Sequence, residues 1–129
     1  MLMNQINTRL GCLSGLEKPD VIEFRGVPYA QPCEGIWRLK APRPVLPWQG
    51  LKACETFAGA AWQESNALLG VADQSLDCLR LNIWAPRSQG PHPVMVWFHG
   101  GAYLSGSPSQ LLYQGERLAV QQQVIVVNV

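Results

Sequence analysis

The residues with the clearest chemical potential are His99-Gly100-Gly101-Ala102-Tyr103, which come directly after the apolar run Val94–Phe98. Glycine lets the backbone turn sharply and leaves N–H groups unshielded by side chains, as an oxyanion hole requires. The simpler interpretation is an ordinary glycine turn at the end of a strand. The preceding histidine and the apolar strand favour the functional interpretation, in which the loop stabilises a developing oxyanion.

No nucleophile accompanies this loop. The sequence lacks G-x-S-x-G, the motif that exposes a catalytic serine at a strand-to-helix turn. The nearest string, Leu104-Ser105-Gly106-Ser107, lacks the first glycine. We interpret His92, between two prolines, as part of a surface turn. The sequence therefore predicts transition-state stabilisation without an activated serine or cysteine.

The composition indicates a folded core with few charges on its surface. The chain has 129 residues, 47% of them hydrophobic and 15% charged, with a formal net charge of +1. Without a run of Lys or Arg, nucleic acid and membrane surfaces are not expected partners. No apolar run approaches the roughly 20 residues of a membrane span. Because polar residues interrupt Met1–Leu16, no signal peptide is visible, and we expect a cytoplasmic location.

The four cysteines predict neither a metal site nor a disulfide scaffold. They stand at positions 12, 33, 54 and 78 and never form a C-x-x-C pair. Free thiols are the favoured interpretation, although two disulfides are arithmetically possible. No metal and no cofactor is expected.

Two apolar runs predict the centre of a sheet. Val94–Phe98 and Val124–Val127 are apolar throughout, as in strands covered on both faces. The segment between them holds a candidate helix over Gln110–Gln122, weakened by Gly115. Strands joined by such a crossover are usually parallel, so a βαβ-type unit is predicted. Because one crossover cannot supply all the neighbours of a central strand, we expect an incomplete sheet.

The preceding part of the chain reads as short strands and turns. Leu79–Trp84 alternates with period two, which predicts a strand whose buried face carries Leu79, Leu81 and Ile83. Val21–Phe24 is a further predicted strand. In addition, Gly11 and Gly15 frame a predicted hairpin, and the three prolines of Ala41–Trp48 predict extended coil.

Ordered sequence blocks resemble the N-terminal part of the type-B carboxylesterases, the family that includes bacterial para-nitrobenzyl esterases and the cholinesterases. Phe24–Pro32 resembles F-x-G-I-P-Y-A-x-P, and Asp77–Asn82 resembles the signature E-D-C-L-Y-L-N. Pro93–Tyr103 is similar to P-V-M-V-W-I-H-G-G-A-F. Shorter matches are Gly35–Leu39 and Trp48–Leu51.

The resemblance implies an α/β fold: an incomplete α/β-hydrolase fold with a β-rich N-terminal segment and the first strands of the central mixed sheet. Residues 1–129 would be the N-terminal portion of one such domain, truncated at the end of a buried strand. The implied activity is hydrolysis of carboxylic esters by serine acylation. Since the serine, the Glu or Asp and the histidine follow later in the family, the chain alone is expected to be inactive.

The resemblance also assigns roles within the loop. Gly101 and Ala102 would donate the oxyanion-hole N–H groups, Gly100 would supply turn geometry, and Tyr103 would line the substrate pocket. Because the catalytic base of the family lies near its C-terminus, His99 would be a structural residue that orients the loop. The expected partners are a small-molecule ester in the full-length form and, for the open sheet, the missing C-terminal part or a second copy.

Three departures narrow the resemblance. Leu76 stands in place of the signature glutamate, so Arg38 must find another partner or remain solvated. The cysteine that bonds to the equivalent of Cys78 in many eukaryotic members is Ala61 here, and residues 67–73 lack the cholinesterase tryptophan. The competing interpretations are a non-catalytic binding or adhesion module of the same fold family and an unrelated small α/β binding domain.

Overall fold

The computed structural model describes residues 4–64 and 73–129. In these residues, eight strands form two sheets, and there is one α-helix. In chain order the elements are β1 (Gln5–Asn7), β2 (Cys12–Ser14), β3 (Leu16–Glu17), β4 (Val21–Pro28), β5 (Leu51–Ala53), β6 (Arg80–Pro86), β7 (Val94–Trp97), α1 (Glu116–Gln122) and β8 (Ile125–Asn128). Short 3-10 turns lie at Gly35–Trp37 and Leu111–Tyr113.

The larger sheet confirms the predicted mixed α/β organisation. Its strand order is β3-β4-β6-β8-β7, and all pairs are antiparallel except β7 with β8. The two apolar runs therefore pair in parallel, with α1 in the connection between them, as predicted. A crossover of this kind returns the chain to the same sheet beside the first strand.

Strand β6 differs from the prediction in its buried face. The fully buried residues are Asn82, Trp84 and Pro86, whereas Leu81 and Ile83 are half-buried. The reason is that β6 is covered on both sides. Trp84 packs in one cluster with Val21, Ala119 and Val126, and Ile83 packs against another. Alternation of apolar residues located the strand, but it did not identify the more deeply buried side.

Strand β7 is not buried, contrary to the prediction. All four of its residues are exposed, from Met95 at 37% to Val94 at 59%. Within the described part of the chain, β7 lies at the edge of the sheet and pairs only with β8. Strand β8 has a single fully buried face, formed by Val126 and Asn128. An apolar run indicates that a strand can be buried, but whether it is buried depends on the elements that pack against it.

Helix α1 is shorter than the predicted Gln110–Gln122 because Gly115 serves as its N-cap residue. A Cβ on Gly115 would lie 2.6 Å from Val126 Cγ1, so only glycine lets the chain pass this close to β8. The residues before Gly115 form the separate 3-10 turn. Ala119 is fully buried and fixes the helix against Trp84.

The buried carboxylate of Glu23 connects strands β4 and β6 and, through Lys18, helix α1. Glu23 of β4 is 0% exposed and accepts hydrogen bonds from Lys18 Nζ at 2.7 Å and Trp84 Nε1 at 2.8 Å. Arg25 Nη2 forms an ion pair with it at 2.6 Å, and Lys18 also contacts Glu116 of α1. Burial alone would raise the pKa of Glu23, but these donors and charges lower it below its ordinary value.

The N-terminal part agrees with the prediction only in part. The hairpin pairs β1 with β2 through a turn from Thr8 to Gly11, whereas the segment between Gly11 and Gly15, predicted as a hairpin, is the single strand β2. Ala41–Trp48 has no regular structure, as predicted. Strand β4 extends beyond the predicted Val21–Phe24 to Pro28. The side chain of Arg38 is exposed, and all four cysteines are free. Among the described residues, no helix has the length and apolar character to cross a membrane.

Candidate oxyanion loop

The loop that follows β7 is a tight turn closed on Gly101. The carbonyl oxygen of Gly101 accepts the N–H groups of Leu104 at 2.9 Å and Ser105 at 3.1 Å. The φ angles of Gly101, Ala102 and Tyr103 are 129°, 55° and 60°. A Cβ on Gly101 would lie 1.8 Å from the Ser105 carbonyl oxygen, so this position accepts only glycine.

Gly100 has no such steric requirement. Its φ lies outside the left-handed region, and an added Cβ would meet no atom within 4 Å. The backbone constraint on the turn therefore falls on Gly101 and on the two left-handed residues after it. The open space beside Gly100 leaves room for a bound group.

The N–H groups of the loop are available to a ligand. Within residues 4–64 and 73–129, no hydrogen bond uses the backbone N–H of Gly100, Gly101, Ala102 or Tyr103, and all four residues are exposed. A cleft of about 420 Å³ is lined by Gly100, Ala102 and Tyr103, together with Phe98, His99 and Val129. The arrangement places unused donors beside a space that an acyl group could occupy.

Tyr103 lies at the rim of two clefts. Its side chain is fully exposed, and it lines both the 420 Å³ cleft and a neighbouring one of about 260 Å³. The second cleft also contains Tyr29, Cys78 and His99. Tyr103 is thus not a core residue of this chain.

His99 contacts its own loop. Its Nδ1 lies 2.7 Å from the carbonyl oxygen of Gly100, and a carbonyl can only accept, so Nδ1 carries the proton in this contact. A Cβ on Gly106 would lie 2.6 Å from the same Nδ1. The His99 ring therefore lies between the start and the end of the loop, a position from which it can orient the loop.

Gln63 holds the end of the loop through two hydrogen bonds to Gly106, a contact that the sequence pattern did not predict. Gly106 N–H donates to Gln63 Oε1 at 2.7 Å, and Gln63 Nε2 donates to Gly106 O at 2.9 Å. The backbone of Gln63 is held in the same way by Gln74, with bonds of 3.0 and 2.9 Å. No local spacing could reveal this contact, because 43 residues separate Gln63 from Gly106.

The signature residues Asp77–Asn82 form hydrogen bonds with strand β4 and with the segment that follows the loop. Arg80 pairs with Asp77 and donates to the Gly26 carbonyl at 3.1 Å. The buried amide of Asn82 accepts Gly26 N–H at 2.9 Å and donates to the Pro108 carbonyl at 3.2 Å. The signature therefore links β4 and β6 to the segment that leaves the loop.

Cys78 shares a cleft with His99, a proximity that the sequence did not suggest. Burial raises the pKa of the Cys78 thiol, and the neighbouring Cys33 acts in the same direction. A raised pKa keeps the thiol protonated and hence a poor nucleophile. Among the described residues, no cluster of three or more His, Cys, Asp or Glu could hold a metal ion.

A serine and a histidine meet elsewhere, at the start of β7. Ser88 Oγ lies 3.4 Å from His92 Nε2, but this nitrogen is closer to the Ser88 carbonyl, at 3.0 Å. The Ser88 hydroxyl donates to Gln123. The strand separates this contact from the loop by its length of about 13 Å. It cannot serve the loop as a nucleophile and base.

Comparison with known proteins agrees with this architecture. The family described as "Carboxylesterase family" matches residues 3–129. The para-nitrobenzyl esterase of Bacillus subtilis is 38% identical over 128 residues, which are 95% of this chain and 26% of that protein. The acetylcholinesterase of Electrophorus electricus is 37% identical over 140 residues, covering 95% of this chain and 22% of that protein.

Solved structures give the same result. A thermophilic para-nitrobenzyl esterase superposes with a TM-score of 0.91 and 38% identity, over 97% of this chain and 27% of that chain. A Geobacillus stearothermophilus carboxylesterase gives a TM-score of 0.87 and 36% identity, over 97% and 25%. The chain spans about a quarter of the length of these relatives. On the strength of the family match and the shared fold, this chain belongs to the carboxylesterase family.

Proposed function

We propose that this chain supplies the oxyanion-hole loop of a carboxylic ester hydrolase. Gly101 and Ala102 donate the two N–H groups, Gly100 leaves room for the approaching carbonyl, and Tyr103 forms part of the substrate pocket. The observation that carries the proposal is the set of unused, exposed N–H groups on a loop held in a defined turn. A binding or adhesion module has no chemical need for such donors.

The loop would act on the tetrahedral intermediate. When a serine attacks an ester carbonyl, negative charge develops on the carbonyl oxygen, and fixed N–H donors stabilise that charge more than they stabilise the ground state. The serine, its histidine base and the acidic residue must come from outside these 129 residues, because the sequence contains no G-x-S-x-G. The isolated chain should therefore be inactive.

The substrate class proposed is a small ester without a cationic group. Cholinesterases place a tryptophan shortly before the signature, and residues 67–73 contain none. Tyr103 offers an exposed aromatic wall, which suits an aryl or alkyl ester.

The proposal can be tested in a chimera. Residues 3–129 replace the aligned quarter of the Bacillus subtilis para-nitrobenzyl esterase, whose remaining part provides the serine, and hydrolysis of a para-nitrophenyl ester is followed. In this background Ala102 is replaced by lactic acid through nonsense suppression, which exchanges the N–H for an oxygen. Proline is unsuitable, because its φ of about −65° cannot match 55° at Ala102.

Loss of one oxyanion donor should lower kcat by about 100- to 1000-fold. The control is the same exchange at Ala41, an exposed alanine outside the loop, which should leave kcat unchanged. An active chimera whose turnover does not respond at position 102 would contradict the assignment. An isolated chain that shows a stoichiometric burst with its thiols blocked would contradict the absence of a nucleophile.

A further inference from the structure

The loop must keep its shape without help from its own donors. Because the N–H groups of Gly100 to Tyr103 form no bonds within the described chain, only the carbonyl of Gly101 and the contacts of His99 hold the turn internally. Donors that stabilise a transition state have to be fixed before the reaction, since reorganisation would consume the gain. Some external group must therefore supply rigidity.

Gln63 is the side chain that meets this need. Its amide pairs with both the N–H and the C=O of Gly106, and its Nε2 also donates to the Ala61 carbonyl at 3.0 Å. Gly106 itself is buried and has a φ of 110°. A two-bond amide pairing fixes both the position and the orientation of a peptide unit, which a single bond cannot do.

Gly106 transmits this constraint to the loop. A Cβ at this position would lie 2.6 Å from His99 Nδ1 and 2.7 Å from the Gly100 carbonyl oxygen, so the Gly106 backbone packs directly on both groups. If Gly106 moves, the His99 ring loses the surface it rests on, and the peptide preceding Gly101 is free to rotate. That peptide carries the Gly101 N–H.

Gln63 is held in turn by Gln74. The Gln74 amide pairs with the N–H and C=O of Gln63, and the backbone next to it pairs with Ala60 through bonds of 2.8 Å on either side. Two successive glutamine amides thus connect the segment before the signature to the end of the loop. The half-buried position of Gln63 shields these bonds from water.

We propose that Gln63, itself held by Gln74, is the positioning residue of the oxyanion loop. This inference rests on the proposed function, since it gives Gln63 a role in turnover without contact with substrate. A displacement of about 1 Å at a catalytic group can cost about 100-fold in rate. Gln63→Ala should therefore lower kcat by about this factor and leave KM little changed.

The first test uses the 129-residue chain. In Gln63→Ala, the Gly106 amide loses its acceptor, so its hydrogen exchange should accelerate together with that of Leu104 and Ser105. Gln89→Ala is the matched control, because Gln89 is exposed on a turn away from the loop. Gln63→Glu keeps the acceptor for the Gly106 N–H but places a carboxylate oxygen against the Gly106 carbonyl, so it should also accelerate exchange. Unchanged exchange at Gly106 in Gln63→Ala would overturn the proposal.

The second test measures turnover in the chimera described above. The burst amplitude counts functional sites, so a variant that folds poorly loses amplitude, whereas a misplaced loop lowers kcat per functional site. Gln63→Ala should lower kcat per site, and Gln89→Ala should not. If the lactic acid exchange at position 102 lowers kcat but Gln63→Ala does not, the positioning role is wrong and the oxyanion assignment stands. If neither change lowers kcat, the proposed function fails as well.

Discussion

Gly101 and Gly100 are adjacent, yet alanine should have opposite effects at the two positions. In Gly101→Ala, the new Cβ would lie 1.8 Å from the Ser105 carbonyl, and φ would have to leave 129°. The turn must open, which breaks the bonds from Leu104 and Ser105 to the Gly101 carbonyl. In Gly100→Ala, the Cβ enters open space at an ordinary φ.

The expected magnitude follows from these contacts. Two backbone hydrogen bonds contribute about 1 kcal/mol each, and an unfavourable backbone conformation costs about 1–3 kcal/mol. Since the loop is exposed and can relax, we expect the turn to be destabilised by about 2–4 kcal/mol. Gly100→Ala should instead be neutral or stabilise the turn by about 0.4–1 kcal/mol, because alanine restricts the open chain.

Hydrogen exchange of the Leu104 and Ser105 amides measures the effect directly. A destabilisation of 2–4 kcal/mol corresponds to exchange that is faster by roughly 30- to 1000-fold, at about 1.4 kcal/mol per factor of ten. The amides of β6 and β8 provide the internal reference, because they should be unchanged in both variants. Equal exchange in Gly101→Ala and Gly100→Ala, or no acceleration in Gly101→Ala, would refute the steric reasoning.

Four further predictions concern the rest of the chain. Because the pKa of Glu23 is lowered in the folded state, its stabilisation is present above the ordinary value of 4.5 and is lost as the pH falls further; acid titration of unfolding should show this loss, and Glu23→Gln should abolish it. Lys18 has a raised pKa, so its contribution is present below 10.5 and disappears at higher pH, which Lys18→Met should reveal as a flatter alkaline limb. The exposed apolar edge of β7 should make the isolated chain self-associate, and Val96→Lys should shift its sedimentation towards the monomer; a monomeric parent chain would contradict this. Cys54 is 2% exposed and burial raises its pKa, so in the native chain its alkylation should be the slowest among the cysteines, a difference that denaturant should remove.

Sequence patterns located features that depend on nearby residues. The apolar runs of β7 and β8 and the glycines after β7 are local signals, and the structure has the two strands in parallel with a turn directly after the first. The N-cap position of Gly115 also agrees with the weakness predicted for that part of the helix. In each case, a propensity or a steric limit acts within a few residues.

Features set by distant neighbours were not predicted correctly. The buried side of β6 depends on Trp84 meeting α1, and the exposure of β7 depends on its place at the sheet edge. The pairing of Gln63 with Gly106 joins positions 43 residues apart. Glutamine is common on surfaces, so its residue type gave no indication of a structural contact. Such contacts follow from the topology rather than from the local pattern.

The strand order has a consequence for how the sheet assembles. Strands β6 and β7 are consecutive in sequence, and consecutive antiparallel strands usually pair as a hairpin. Here β8 lies between them, so their native arrangement requires that they stay apart until β8 has been made. A β6–β7 hairpin formed early during synthesis would have to dissociate before β8 could insert. The order of strands thus makes the pairing of β8 a strand insertion, which is slower than the formation of a local hairpin.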